Sequence, residues 1–179
     1  FFNLNQIADS GQCFRWQEIF CDNESKKYHY QVPVKNKLLN IFQDDKKIKI
    51  DCTESEFESF WKNYFDFNTD YKKITSLIVD DEYLQRAIKY GYGIRILNQD
   101  LWEMIISFII SQNNNIPRIK KSIEGLCKIF SKTQITSELK SFPTAQEIIS
   151  FGDKNKILEK LKSVGLGYRD EYIYLISLY

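Results

Sequence analysis

The sequence predicts an α+β fold: an N-terminal antiparallel sheet domain, then an all-helical domain that is incomplete at Tyr179. Three observations carry the prediction. Short β-prone runs occupy the first fifty residues, and one of them, Lys47-Ile48-Lys49-Ile50, alternates charged and apolar side chains as a one-sided strand does. From Thr53 onward the apolar period lengthens to the helical value. Several of the later stretches open on a capping residue followed three positions on by Glu. The change of composition divides the chain into a sheet domain over 1–75 and the first part of a helical domain over 76–179.

Taken in order, Phe14-Arg15-Trp16 is the first strand candidate, followed by Tyr28–Val32, Leu38–Phe42 and Lys47–Ile50. Asp44-Asp45 suits the turn between the last two. Thr53-Glu54-Ser55-Glu56 reads as a capping box, and Phe57, Phe60, Trp61 and Tyr64 continue it at helical spacing. Asp80-Asp81 opens a helix to about Tyr90, closed by Gly91 and Gly93. Asp100 with Glu103 opens the next, which carries Trp102, Ile105, Ile106, Phe108, Ile109 and Ile110. It is apolar on nearly every face and is expected to run through the middle of the helical domain. Ile116, Ile119, Ile123, Leu126, Cys127 and Phe130 form the stripe of the following helix. Thr144 with Glu147 is a further box, and Asp153 starts a basic helix that stops at Gly165. There is no internal repeat and no low-complexity segment.

Hydrophobic residues at 43% and aromatics at 15% are enough for a packed core. Net charge is +1, which is uninformative, but its distribution is not. Residues 1–75 hold 11 Lys/Arg against 12 Asp/Glu, whereas 112–169 hold 11 against 5. That local excess suits a phosphate-facing surface, and a solvated helical face accounts for it equally well. The four cysteines, at 13, 21, 52 and 127, have neither zinc spacing nor the pattern of a secreted disulfide framework, so reduced thiols are expected. The run Met104–Ile110 is too short to span a bilayer, and no membrane role is expected. The chain begins at Phe1 rather than Met, so its natural N-terminus is expected upstream.

Three segments are candidate sites. Ser111-Gln112-Asn113-Asn114-Asn115-Ile116-Pro117-Arg118 ends one apolar helix and begins another. Asn favours caps, which accounts for one or two of the three. Short amides at a tight turn can also enter a duplex and bond base edges, with Arg118 a turn away. Val164-Gly165-Leu166-Gly167-Tyr168-Arg169 places an aromatic at a helix start beside an arginine. That suits a wedge between bases, or simply a C-cap followed by a core tyrosine. In Asp9-Ser10-Gly11-Gln12-Cys13-Phe14-Arg15-Trp16, Gly11 permits close backbone approach, or forms a plain turn. His29 is the only histidine, which excludes a two-histidine metal site and makes a triad a poor fit. No Walker-type loop occurs, and no cofactor is expected.

Together the three segments resemble one family in order and spacing, the 8-oxoguanine DNA glycosylases. SGQCFRW, GIRILNQDLWEMIISFIISQNNNIPRI, FPTAQEI and LKSVGLGYRDEY carry the resemblance, which runs from about Leu4 to Tyr172. It implies a first domain like half of the TATA-binding-protein fold and a second of helix-hairpin-helix/GPD type. It implies an enzyme that flips the damaged base from double-stranded DNA, excises it, and has an associated AP lyase activity. By this resemblance Asn113 fills the vacated stack with Asn115 beside it on the DNA, Arg118 and Arg169 read the orphaned cytosine, and Tyr168 is the wedge. Gly11 matches the glycine whose carbonyl accepts from N7–H of 8-oxoguanine, a proton guanine lacks. Cys13, Pro117 and Gln112 depart from the family's usual Ser, small residue and Ser, without loss of a functional side chain.

The family's nucleophilic lysine and catalytic aspartate follow the GYR segment, so no catalytic residue is expected within this chain. Tyr172, Leu175, Ile176 and Tyr179 form an unfinished helical stripe, and a fragment of a longer protein is expected. A monomer is expected, acting in the nucleoid or cytoplasm of a bacterium or the nucleus of a eukaryote. The competing readings are an alkylpurine glycosylase of the same superfamily, a non-catalytic damaged-DNA-binding module, and a protein-interaction domain.

Overall fold

The structure is a computed structural model that describes residues 2–78 and 81–179. By packing, the chain forms two compact units: 1–31 with 39–98, and 32–38 with 99–179. The 75/76 division expected above is one of composition; by packing, the helices just after residue 75 group with the sheet.

In the first unit α1 (Leu4–Asp9) is capped by Asn3, whose side chain accepts from Gln6 N at 2.9 Å. Strands β1 (Gln17–Asp22), β2 (Lys27–Val34), β3 (Lys37–Asp44) and β4 (Lys47–Ile50) form an antiparallel sheet in the order β1-β2-β3-β4. Alternation decides its buried face: Leu39, Ile41 and Gln43 point inward from β3, and Tyr28 and Tyr30 from β2. Asp45 takes φ +49 at the β3–β4 tip, as tight hairpin turns require. The three later strand expectations are met.

The first strand candidate is corrected. Phe14-Arg15-Trp16 is an irregular lead-in, and pairing begins at Gln17 opposite Gln31. Arg15 and Trp16 are both buried, and consecutive buried residues break the two-faced alternation of a half-exposed strand. Trp16 instead joins the core, donating from Nε1 to the Tyr64 hydroxyl at 3.0 Å and meeting Phe65 edge-on at 5.9 Å.

Thr53 caps α2 (Glu54–Glu56), accepting from Glu56 N. A π-helical turn over Phe57–Trp61 and α3 (Lys62–Tyr64) follow. The wider turn accompanies a shift of the buried set to Trp61, Tyr64 and Phe65, while Phe57 and Phe60 stay half-buried. Beyond α4 (Tyr71–Ser76), Asp81 caps α5 (Glu82–Tyr90) through Leu84 N; Asp80, also expected at this start, lies outside the described residues. At Gly93 a Cβ would fall 2.1 Å from Asn3 Cβ, so only glycine lets this loop close on α1.

The second unit holds α6 (Leu101–Ser111), α7 (Ile116–Phe130), α8 (Ala145–Ile149), α9 (Lys154–Ser163) and α10 (Arg169–Ile176). Asp100, Asn115, Thr144 and Asp153 each cap the helix that follows, and Thr144 with Glu147 completes a reciprocal box. Helix α6 packs on α7 and α10, and its buried positions are Ile106, Ser107 and Ile110. It is not buried all round: Leu101 and Phe108 are each 65% exposed. An apolar sequence sets no limit on how many neighbours a helix meets, and here only one stripe is covered. Ile116, at the start of the predicted α7 stripe, is likewise exposed, and in α10 the buried positions are Arg169, Asp170 and Ile173 rather than Tyr172 or Leu175.

Candidate nucleic-acid interface

Two turns of the second unit carry five of the six candidate residues, and Gly11 lies in the first unit. After α6, Gln112 leaves the helix with ψ 124, and Asn113 turns the chain back in the left-handed region at φ +46. Asn tolerates that region better than most residues. Asn114 is occupied by the turn: Nδ2 donates to Ile110 O at 3.1 Å, and Oδ1 accepts from Asn115 N at 3.0 Å. Asn115 is the N-cap of α7, its Oδ1 accepting from Arg118 N at 3.1 Å. Pro117 in the first turn needs no amide partner there. The triple asparagine thus divides. Two members are tied into the turn, and Asn113 is exposed with a side-chain amide that makes no hydrogen bond among the described residues.

The second turn joins α9 to α10. Gly165 and Gly167 take φ +83 and +60, a pair of left-handed positions that side chains resist. Leu166 between them is buried and anchors the turn. Tyr168 follows at 56% exposure, stacked edge-on with Tyr172 at 6.0 Å, which rules out the core-tyrosine reading. Arg169 opens α10 and is only 6% exposed. Its guanidinium lies 4.5 Å from the Tyr168 ring centroid, donates through Nη1 to Leu166 O at 3.1 Å, and donates through Nη2 to the carbonyls of Gln112 and Asn113. One side chain therefore pins the two turns together.

Arg118 differs. It is exposed, and among the described residues its guanidinium has no partner. It lines a groove of about 470 Å³ with Lys121, Ser122, Glu124, Gly125 and Lys128, closed on the other side by the 163–165 turn. Asp170, beside Arg169, is buried; its Oδ1 accepts from Glu171 N, and its Oδ2 lies 3.7 Å from Lys162 Nζ. An acidic side chain in the first turn of α10 suits the positive end of the helix dipole.

In the first unit Gly11 is exposed at φ +78, and no atom lies within 4 Å of where its Cβ would be. Its neighbour Gln12 holds the loop, a role the sequence did not suggest. Nε2 donates to Ser10 Oγ at 2.9 Å and to Arg95 O at 2.8 Å, and Oε1 accepts from Leu97 N at 2.8 Å. The only signal in the sequence is the amide beside the glycine; its partners Arg95 and Leu97 lie more than eighty residues away. His29 is structural, stacked on Phe42 at 4.0 Å and bonded to Asn40.

The fold and site define an α+β protein whose helical unit presents an exposed amide, aromatic ring and guanidinium at or beside two turns that Arg169 joins. The comparisons narrow the class. The family model of the 8-oxoguanine DNA glycosylase N-terminal domain matches residues 1–105. The N-glycosylase/DNA lyase of Saccharomyces cerevisiae is 29% identical over 184 residues, covering 95% of this chain and 47% of that protein. Among solved structures, MBOgg1 in complex with a low-affinity DNA ligand is 35% identical with a TM-score of 0.84, over 99% of this chain and 58% of that one. The Clostridium acetobutylicum 8-oxoguanine glycosylase/lyase, in complex with dsDNA containing cytosine opposite 8-oxoG, is 31% identical with a TM-score of 0.84, over 98% and 58%. This chain belongs to the 8-oxoguanine DNA glycosylase family. It spans about half the length of the yeast relative and somewhat more than half of the solved ones.

Proposed function

We propose that the protein excises 8-oxoguanine opposite cytosine from duplex DNA by base flipping, with an associated AP lyase activity, and that these residues supply lesion recognition and DNA distortion. The single observation that carries the proposal is the junction at Arg169, which holds the Asn113 turn against the Tyr168 turn. It leaves an amide, an aromatic ring and, one helical turn on, the Arg118 guanidinium exposed. The names of the relatives support the substrate.

On this reading Asn113 enters the stack where the base has left, with Asn115 flanking it, and Tyr168 wedges beside it. Arg118 reads the cytosine edge directly. Arg169 reads it by exchanging the Gln112 and Asn113 carbonyls for base acceptors. The Gly11 carbonyl accepts from N7–H of the lesion; guanine would set two lone pairs against each other there, a loss of about 1–3 kcal/mol in a dry pocket. Flipping costs a few kcal/mol, which such contacts offset. No bond-breaking role is assigned to these residues. The proposed working form is a monomer in the compartment that holds the DNA.

Borohydride trapping of the full-length protein on an 8-oxoguanine·cytosine duplex tests the mechanism. A trapped adduct together with base release is expected; neither adduct nor release would sink the assignment.

A further inference from the structure

We propose that the groove along α7 beyond Arg118 seats backbone phosphates of the DNA strand that carries the base opposite the lesion, with Lys121 as first contact and Lys128 as second. The inference rests on the reading in which Arg118 meets that opposite base. Arg118, Lys121, Gly125 and Lys128 stand three, four and three residues apart, so they share one face of α7. All four line the same groove. Arg118 and Lys121, three residues apart, repel, and α7's own stability gives no reason to align those two; Lys128, in the last turn, also serves the helix through Glu124.

The floor of the groove is kept low by two glycines. A Cβ on Gly125 would come within 2.8 Å of Val164 Cγ1, and Gly165 turns the opposite wall at φ +83. The rim is polar, with Ser122 and Ser163 beside the cations. Among the described residues the Lys121 ammonium has no ion-pair or hydrogen-bond partner, so its charge is available. Lys128 is partly matched, its Nζ lying 3.9 Å from Glu124 Oε1, which makes it the weaker contact. Lys162 faces Asp170 and is not counted. From residue 121 to 128 the helix rises about 10 Å. One strand of duplex DNA advances about 3.4 Å per phosphate, so Lys121 and Lys128 can hold separate phosphates of one strand.

The test is the salt dependence of binding by the full-length protein to an 8-oxoguanine·cytosine duplex and to the undamaged duplex. Lys121→Ala should lower the slope of log Kobs against log salt by about 0.9, and Lys128→Ala in addition by up to about 0.9 more. The loss of affinity should be equal on both duplexes, with opposite-base preference unchanged. Lys121→Arg should keep the wild-type slope, and so should Lys120→Ala, which lies outside the groove lining. Neutral methylphosphonates near the opposite base, in its own strand, should abolish the Lys121→Ala effect. An unchanged slope in Lys121→Ala, or neutralisation effective only in the lesion strand, overturns the proposal. A wild-type protein with no preference for the damaged duplex would instead overturn the lesion reading, while a slope that still falls with Lys121→Ala would uphold a phosphate groove.

Discussion

Arg169 Nη2 donates to the main-chain carbonyl of Asn113 at 3.3 Å, joining the start of α10 to a left-handed turn 56 residues earlier. The contact gives Arg169 a structural task in the free protein, while the Arg118 guanidinium has no partner among the described residues. The two arginines should therefore fail in different ways when removed.

Arg169→Ala should cost stability, because charge-assisted bonds to three carbonyls vanish and those carbonyls stay in a partly buried turn. A loss of about 1.5–3 kcal/mol in urea denaturation is expected. Arg169→Lys should fall between, since a single ammonium cannot reproduce the planar fork. Wild-type stability in Arg169→Ala would show that the clamp holds nothing.

Arg118→Ala should leave stability within about 0.5 kcal/mol, as expected of an exposed side chain with no internal partner. Excision opposite cytosine and opposite adenine should become more nearly equal. Preference that is unchanged by this variant refutes its assigned role.

Asn113 can be separated from its own backbone. Asn113→Ala places a Cβ-bearing, non-hydrogen-bonding residue at φ +46 and should cost about 1 kcal/mol; Asn113→Gly should cost less. Both lose the amide, so base flipping, read by 2-aminopurine fluorescence next to the lesion, should fall equally in the two. Flipping that follows stability instead would assign the effect to the turn.

Gln12 makes a paired prediction in the other unit. Gln12→Glu keeps the acceptor for Leu97 N but sets a carboxylate oxygen against Arg95 O, where an amide had donated. It should destabilise by about 1–3 kcal/mol and weaken discrimination of 8-oxoguanine from guanine, through the neighbouring Gly11. Discrimination that survives the loss of stability would dissociate Gln12 from the loop's function.

Gly125→Ala should destabilise by about 1–3 kcal/mol, because its Cβ would press on Val164 at 2.8 Å. Val164→Ala in the same protein should recover much of that loss. A thermal-melting double-mutant cycle measures the coupling, and additive effects would mean that the two residues do not meet.

What could be read from the sequence is what short-range physics controls. Thr53, Asp81, Asp100, Asn115, Thr144 and Asp153 each accept from an amide three residues ahead, so each start announces itself locally. Strands β2 to β4 show their alternation, and the α7 stripe from Ile119 to Phe130 shows its period. Strand β1 was missed because its apolar residues Ile19 and Phe20 are exposed and pattern nothing. The motif residues around the two turns were also visible, as a string of side chains suited to DNA.

The tertiary structure decided which of those side chains remain available. Three adjacent asparagines look alike in sequence; the turn occupies Asn114 and Asn115 and leaves Asn113 open. Two arginines look alike, yet Arg169 is buried on carbonyls from a segment 56 residues away, while Arg118 faces solvent. The same holds for α6, whose uniformly apolar sequence could not say which stripe would find neighbours. Capping and periodicity are settled within one or two turns of chain, so sequence determines them. Exposure and hydrogen-bond occupancy depend on distant segments meeting, and only the packed chain settles those.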